Sequence, residues 1–191
     1  MALNANAIVT WAQMKAYFGE SDDSRQALFE TLINAVSQRM DKECGRILAT
    51  ATYTAVKLTG NGKAMLFLPA WPVTALTSIK EDGIALVVDE DFYSYADEGI
   101  LAKDGAKWST APSGIEITCT AGYAITGQTP TMPADLQLEC MKQVAFEFQR
   151  GQKKSWGETS RSMPDGSSAS DEQDLLKSVR AVCAKYRRVR L

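Results

Sequence analysis

A chain of 191 residues, 45% hydrophobic and 23% charged, holds enough apolar material for one packed domain carrying at most a smaller insertion, and is too short for two large independent cores. Its formal charge of −2 is close to balance, and histidine is absent altogether. Without imidazole, the usual general base near neutral pH, Ser-His-Asp, Cys-His and HExxH chemistry is excluded, so the expectation is a protein that is not an enzyme.

Thr10 is placed to cap a short helix over Trp11 to Phe18, stopped by Gly19 and read as an N-terminal clasp. A stronger helix is predicted after Ser21-Asp22-Asp23, whose oxygens suit an N-cap and whose charge suits the positive end of the dipole. Leu28, Leu32, Val36, Met40 and Cys44 recur every fourth residue with Phe29 and Ile33 beside them, and Gly45 offers a left-handed cap. From Leu48 to Tyr123 short Thr, Val, Ile and Tyr runs alternate with Gly, Pro, Asp and Asn, the texture of strands and turns.

Within that stretch Thr52 to Leu58 and Ala64 to Leu68 flank Gly60-Asn61-Gly62 and are predicted to form a hairpin. Further strands are expected at Val73 to Lys80, Ala85 to Val88, Tyr93 to Tyr95, Ile100 to Ala102 and Ile115 to Ala121, with a turn at Glu81-Asp82-Gly83. Pro133 suits a first helical turn, and Leu136, Cys140, Val144 and Phe148 then mark a core helix running to Gly151. Gln152 to Ser170 lacks apolar periodicity and is longer than an ordinary connection, so it reads as either disordered or functional. The last helix is expected to begin among Asp171, Glu172 and Asp174, to bury Leu175, Val179, Val182 and Tyr186, and to end in bases.

The fold class expected from this order is α+β: an antiparallel-type bundle of about four helices with a small β-sheet module inserted between the second and third. One domain spans 1–191, divided into helices at 10–47, the β module at 48–124, a core helix at 133–151, a long flexible loop at 152–170 and a C-terminal helix with basic tail at 171–191.

Motifs that carry chemistry are scarce. Gly60-Asn61-Gly62-Lys63 lacks the spacing of a phosphate loop and precedes a strand, and Asp89-Glu90-Asp91 departs from a calcium loop and reads as a solvated turn. Ser155, Ser160 and Ser162 stand near Lys153 and Lys154 without SxxK order. The cysteines Cys44, Cys119, Cys140 and Cys183 are scattered, form no CxxC pair and read as buried free thiols, so no metal and no cofactor is expected. No apolar run approaches the roughly 20 residues of a bilayer span. Met1 to Asn6 lacks a signal-peptide pattern, so cytoplasmic synthesis and no membrane partner are expected.

Two charged segments stand out. Lys153, Lys154 and Arg161 with Trp156 among them suit loose contact with a nucleic-acid backbone, or simply a solvated loop. Tyr186-Arg187-Arg188-Val189-Arg190 joins an aromatic anchor to guanidinium groups, which fits a docking end and a charge-capped helix end equally well.

Several stretches, in a common order, resemble the head-to-tail connector, or adaptor, proteins of long-tailed phages and gene transfer agents. They are Met14-Lys15-Ala16-Tyr17-Phe18, Arg39 to Leu48, Leu66-Phe67-Leu68-Pro69 with Pro72 to Ile79, Thr120-Ala121-Gly122-Tyr123, Pro133-Ala134-Asp135-Leu136 and the closing Tyr186-Arg187-Arg188-Val189-Arg190. The resemblance implies a structural virion protein of the neck, made in the host cytoplasm and assembled as a twelve-fold ring beneath the portal protein. Double-stranded DNA would pass through the ring with transient, non-specific contact, and a stopper or tail-terminator protein would dock on the opposite face. It also implies portal contact at Tyr186, Arg187, Arg188 and Arg190, and a channel or tail-side place for the loop bearing Lys153, Lys154, Trp156 and Arg161. The alternatives are a tail-completion or stopper protein of the same neck, and a DNA-binding accessory protein whose affinity would fall steeply with salt. A carboxylate hydrolase finds no locatable acid pair.

Overall fold

In a computed structural model the chain is described at residues 2–127, 129–153, 160–162, 168–170 and 174–187. Among them are helices α1 (Trp11–Phe18), α2 (Gln26–Cys44), α3 (Ala134–Lys153) and α4 (Lys177–Lys185). The strands are β1 (Ala51–Leu58), β2 (Met65–Phe67), β3 (Val73–Glu81), β4 (Ile84–Ala85), β5 (Tyr93–Tyr95), β6 (Ile100–Ala102), β7 (Ile115–Ala121), β8 (Ser160–Ser162) and β9 (Ser168–Ser170). The chain is therefore mixed α+β, as its texture predicts. It divides into two compact units, a helical one running through Gly45 and resuming at Pro133, and a β one over Arg46–Met132.

In the helical unit α1 begins on a full capping box, with Thr10 Oγ1 accepting from Gln13 N and the Gln13 side chain accepting from Thr10 N. The Ser21-Asp22-Asp23 cluster does not cap α2, which starts later at Gln26 behind Arg25, with no side-chain cap. Its carboxylates are engaged elsewhere. Asp22 accepts from the Ser24 backbone and hydroxyl at 2.9 and 2.6 Å, and Asp23 accepts from Trp11 Nε1 at 2.8 Å and Lys15 Nζ at 2.9 Å.

The buried apolar stripe of α2 is Phe29, Ile33, Val36, Met40 and Cys44, while Leu28 is 48% exposed. The expected every-fourth row drifts off the core because each four-residue step overshoots a turn by about 40°. Phe29 stacks on Trp11 at 5.3 Å and meets Phe148 of α3 at 4.8 Å. Burying one such ring contributes ~1.5–3 kcal/mol.

A second, polar strip on α2 holds an arm that precedes α1. Ala7, Ile8 and Val9 are fully buried. Ile8 N donates to Ser37 Oγ at 3.0 Å, Asn6 Nδ2 to Asp41 Oδ2 at 2.9 Å, and Asn4 N to Asn34 Oδ1 at 2.9 Å. Asn34, Ser37 and Asp41 lie three and four residues apart, the spacing of one helical face, so each buried polar group of the strip meets one of the arm.

Helices α2, α3 and α4 pack on one another in pairs. Leu136, Cys140 and Val144 of α3 face Val179 and Cys183 of α4 in a core where all five are fully buried. Pro133 stands one residue ahead of α3, its carbonyl accepting from Gln137 N, and the helix runs two residues past Gly151. Helix α4 begins at Lys177, after the expected acids; Asp171 and Glu172 lie outside the described residues. Its entry is organised by buried Gln143, whose Oε1 accepts from Leu176 N at 2.9 Å and whose Nε2 donates to Asp174 O at 3.2 Å. Within the span expected as a loop, β8 and β9 pair antiparallel.

The β unit holds a four-stranded sheet in the order β1-β7-β3-β4 and a three-stranded sheet in the order β2-β6-β5, every pairing antiparallel. Strand β7 is central, and its burial alternates, Ile115, Ile117, Cys119 and Ala121 pointing inward. Leu66, Leu101, Phe92 and Trp108 join Ile115, Ile117 and Cys119 in one core.

The predicted hairpin across Gly60-Asn61-Gly62 is absent, since β1 pairs with β7 and β2 with β6. The segment is instead a corner between sheets. Asn61 closes it by accepting from Lys63 N and donating to Met65 O, both at 3.0 Å. Gly60 is required there because a Cβ would sit 2.0 Å from the Ser109 carbonyl oxygen. The turn at Asp82-Gly83 forms as predicted, with Asp82 φ at 50° and Gly83 φ at 86° and Glu81 facing Ile84. The strand expected at Ala85 to Val88 shortens to Ile84–Ala85.

Candidate interaction surfaces

The end of α4 is the first candidate. Tyr186 is half-buried, and its hydroxyl donates to Asp135 Oδ1 at 2.9 Å, while Lys185 Nζ stands 3.8 Å from Asp135 Oδ2. Arg187 is exposed and donates from Nε to the Glu43 carbonyl at 3.2 Å and from Nη2 to the Glu43 carboxylate. Two acids thus receive the residue pair: Asp135 in the first turn of α3 and Glu43 in the last turn of α2. Sequence reasoning found the tyrosine and the arginine but not their receivers, because 51 and 144 residues separate the partners along the chain. Arg188 and Arg190 lie outside the described residues.

The second sequence-predicted set is dispersed. Lys153 ends α3 and Arg161 is the middle residue of β8, whereas Lys154 and Trp156 lie outside the described residues.

A third surface was not singled out from sequence. In the three-stranded sheet, Met65 pairs with Ala102 and Ala102 with Tyr93; Phe67 pairs with Ile100 and Ile100 with Tyr95. These six side chains share one face, since the intervening row, Leu66-Leu101-Ser94, points to the core side with Leu66 and Leu101 buried. Met65, Tyr93 and Tyr95 are 53%, 48% and 53% exposed. Strands of three residues are too short for alternation to be read with assurance, which is why the pattern was illegible before the register was known.

The thiols are buried and inert. All four cysteines are free. Burial pushes Cys140 up to about 12 and raises Cys119, while a hydrogen bond from Cys44 lowers Cys183, which is itself fully enclosed. Among the described residues no group of three or more His, Cys, Asp or Glu could hold a metal, and no helix is long and apolar enough to cross a membrane. Other polar groups serve the fold. Arg46 lies over the Trp71 ring at 3.8 Å and donates to the Trp71 carbonyl, and Lys103 pairs with Glu81, whose other oxygen accepts from Ser109 N at 2.7 Å.

Solved structures share this architecture over the whole chain. A chain described as "Neck of empty GTA particle computed with C6 symmetry" is 19% identical, with a TM-score of 0.57 covering 100% of this chain and 94% of that one. A chain of "Virion of native gene transfer agent (GTA) particle" is 18% identical with the same TM-score and coverage. A chain of "Neck of native GTA particle computed with C12 symmetry" is 18% identical, with a TM-score of 0.50 over 100% of this chain and 97% of that one. A comparison with curated proteins returned no match. At these identities the structural likeness establishes the fold, and family membership comes from the sequence: the family described as "HCP: Head completion protein" matches residues 7–189, from the buried arm to the basic end, and the chain belongs to that family.

Proposed function

We propose that this chain is a structural, non-enzymatic subunit of a particle's neck, a head-to-tail connector of which twelve copies form a ring between the capsid portal and the tail. The observation that carries this reading is a head completion match over residues 7–189, joined to a fold like that of gene transfer agent neck chains along the whole chain. The chain works as a single connector body, with its β module at 48–124 carried between helices. Double-stranded DNA passes through the ring and is touched weakly and without sequence preference by Lys153, Lys154, Trp156 and Arg161. Portal contact falls on the basic end: Tyr186 is fastened to Asp135, and Arg187, Arg188 and Arg190 supply the charge. A stopper or tail-terminator protein docks on the opposite face of the ring.

Electron microscopy of the full chain mixed with its portal protein tests this. The expected image is a twelve-fold ring capping the portal. A bare portal, or purified particles that lack the chain, would overturn the reading. A stopper or tail-completion role would instead place the chain on the tail side of a different ring.

A further inference from the structure

The outward face of the β2-β6-β5 sheet is apolar over six residues, Met65, Phe67, Tyr93, Tyr95, Ile100 and Ala102, and β2 and β5 are its edge strands, the Met65 carbonyl of β2 already accepting from Asn61 Nδ2. Short strands limit the edge hazard but do not remove it, and contiguous aromatic surface of this kind marks a protein contact. What covers it is indicated by the charges at its two sides.

The β5 side is acidic. Asp89 and Glu90 precede the strand and Asp97 and Glu98 follow it, all four exposed and none in an ion pair among the described residues. The β2 side is basic at the end where Met65 lies. Lys63 precedes β2, and Lys107 is brought beside it by the Trp108 N bond to the Lys63 carbonyl at 3.0 Å; both lysines are exposed and outside any described ion pair. Asp104, also exposed, follows the middle strand β6 at the end where Met65 lies, since Met65 pairs with Ala102. Lys103 does not count toward the basic side, since it is spent on half-buried Glu81.

The two sides stand two strand spacings apart, about 10 Å, too far for one to neutralise the other by direct contact. A surface with acid on one side, base on the other and aromatic area between is complementary to a copy of itself displaced in one direction. The same charges would serve a two-fold pair, and the ring reading selects the displaced, head-to-tail arrangement, which can close into a ring.

We propose that the β2-β6-β5 sheet is a copy-to-copy contact: the β5 side of one subunit meets the β2 side of the next, setting Asp89 and Glu90 against Lys63 and Lys107 and covering Tyr93, Tyr95 and Met65. The inference rests on the ring reading above and adds the surface that makes the ring.

Sedimentation of the full chain over a range of concentrations tests it, together with carbodiimide cross-linking of an equal mixture of isotope-labelled and unlabelled chains. The wild type should self-associate more weakly as salt rises. The double substitution Lys63→Glu with Lys107→Glu should weaken association about tenfold, and Tyr93→Ser with Tyr95→Ser about a hundredfold. Cross-links should join Lys63 or Lys107 of one isotope to Asp89 or Glu90 of the other. These exposed positions spare the core, and the cross-links are read on the unsubstituted chain, so a variant that misfolds leaves the question decidable. A chain that stays monomeric at every concentration overturns the contact, as does association that both double substitutions leave unchanged, or cross-links between copies that avoid these residues. A ring seen beneath the portal without such cross-links would remove this contact and leave the neck reading standing, whereas particles that lack the chain would remove the neck reading itself.

Discussion

Tyr186 and Asp135 are joined by a 2.9 Å hydrogen bond that fastens the residue after α4 to the first turn of α3. Asp135 also accepts from the Leu136 backbone, so its carboxylate is oriented before the tyrosine arrives. A residue proposed as part of a docking end is therefore first a strut of its own subunit. Tyr186→Phe should lower the stability of the chain by about 1 kcal/mol, measured by denaturant unfolding, and should speed hydrogen exchange in α4. A variant as stable as the wild type would mean that the hydroxyl is held only loosely.

Gln143 offers a sharper case, because it is fully buried and both ends of its amide are used at the entry to α4. Gln143→Leu fills the same space but leaves Leu176 N and Asp174 O without that partner. A loss of about 2 kcal/mol is expected, with amide exchange rising first over residues 175–180. Uniform exchange changes across the helical unit would point to a packing effect instead.

Gly122 has φ at +111°, and a Cβ there would lie 2.4 Å from the Ala49 carbonyl oxygen. Both strain and collision oppose Gly122→Ala. Unfolding should be easier by about 3 kcal/mol, the sum of overpacking and an unfavourable backbone region. Gly19→Ala has the same sign of φ but nothing within 4 Å, so only the smaller strain cost applies. Comparing the two variants by thermal melting separates the terms.

Acid should release the contact between Trp11 and Asp23. The Lys15 ammonium, followed by the Trp11 indole, holds the Asp23 carboxyl below its ordinary value of 3.8. The folded value is depressed, so the stabilisation is complete above 3.8 and is lost as pH falls through the lower folded value. The indole N–H resonance of Trp11 should stay fixed from neutral pH down to that range and shift only beneath it. Movement near neutrality would contradict the assignment.

Alkylation of the thiols should be negligible in the native chain. Cys140, pushed up to about 12 by burial, has almost no thiolate at pH 8, and Cys44, Cys119 and Cys183 are enclosed. Four adducts should appear by mass spectrometry in denaturant, and fewer than one without it. Rapid native labelling of Cys183, whose thiol the Cys44 bond favours in its charged form, would reveal opening of α4.

Apolar recurrence along the chain was enough to establish the four helices, most of the strands, the α+β class and the burial of the cysteines, because those features depend on neighbours within a turn or two of each other. The order of motifs likewise carried the resemblance to head-to-tail connector proteins, and the chain belongs to the head completion protein family. Strand partners were a different matter. Gly60-Asn61-Gly62 has hairpin composition, yet the tight approach of Gly60 to Ser109 turns it into a corner. The acids at 22 and 23 have capping composition, yet Trp11 and Lys15 claim Asp23 and Ser24 claims Asp22. The buried strip Asn34-Ser37-Asp41 is polar in sequence and interior only because an arm folds over it. In each case a residue's role was decided by a partner distant in sequence, and a local pattern carries no record of which distant group will arrive.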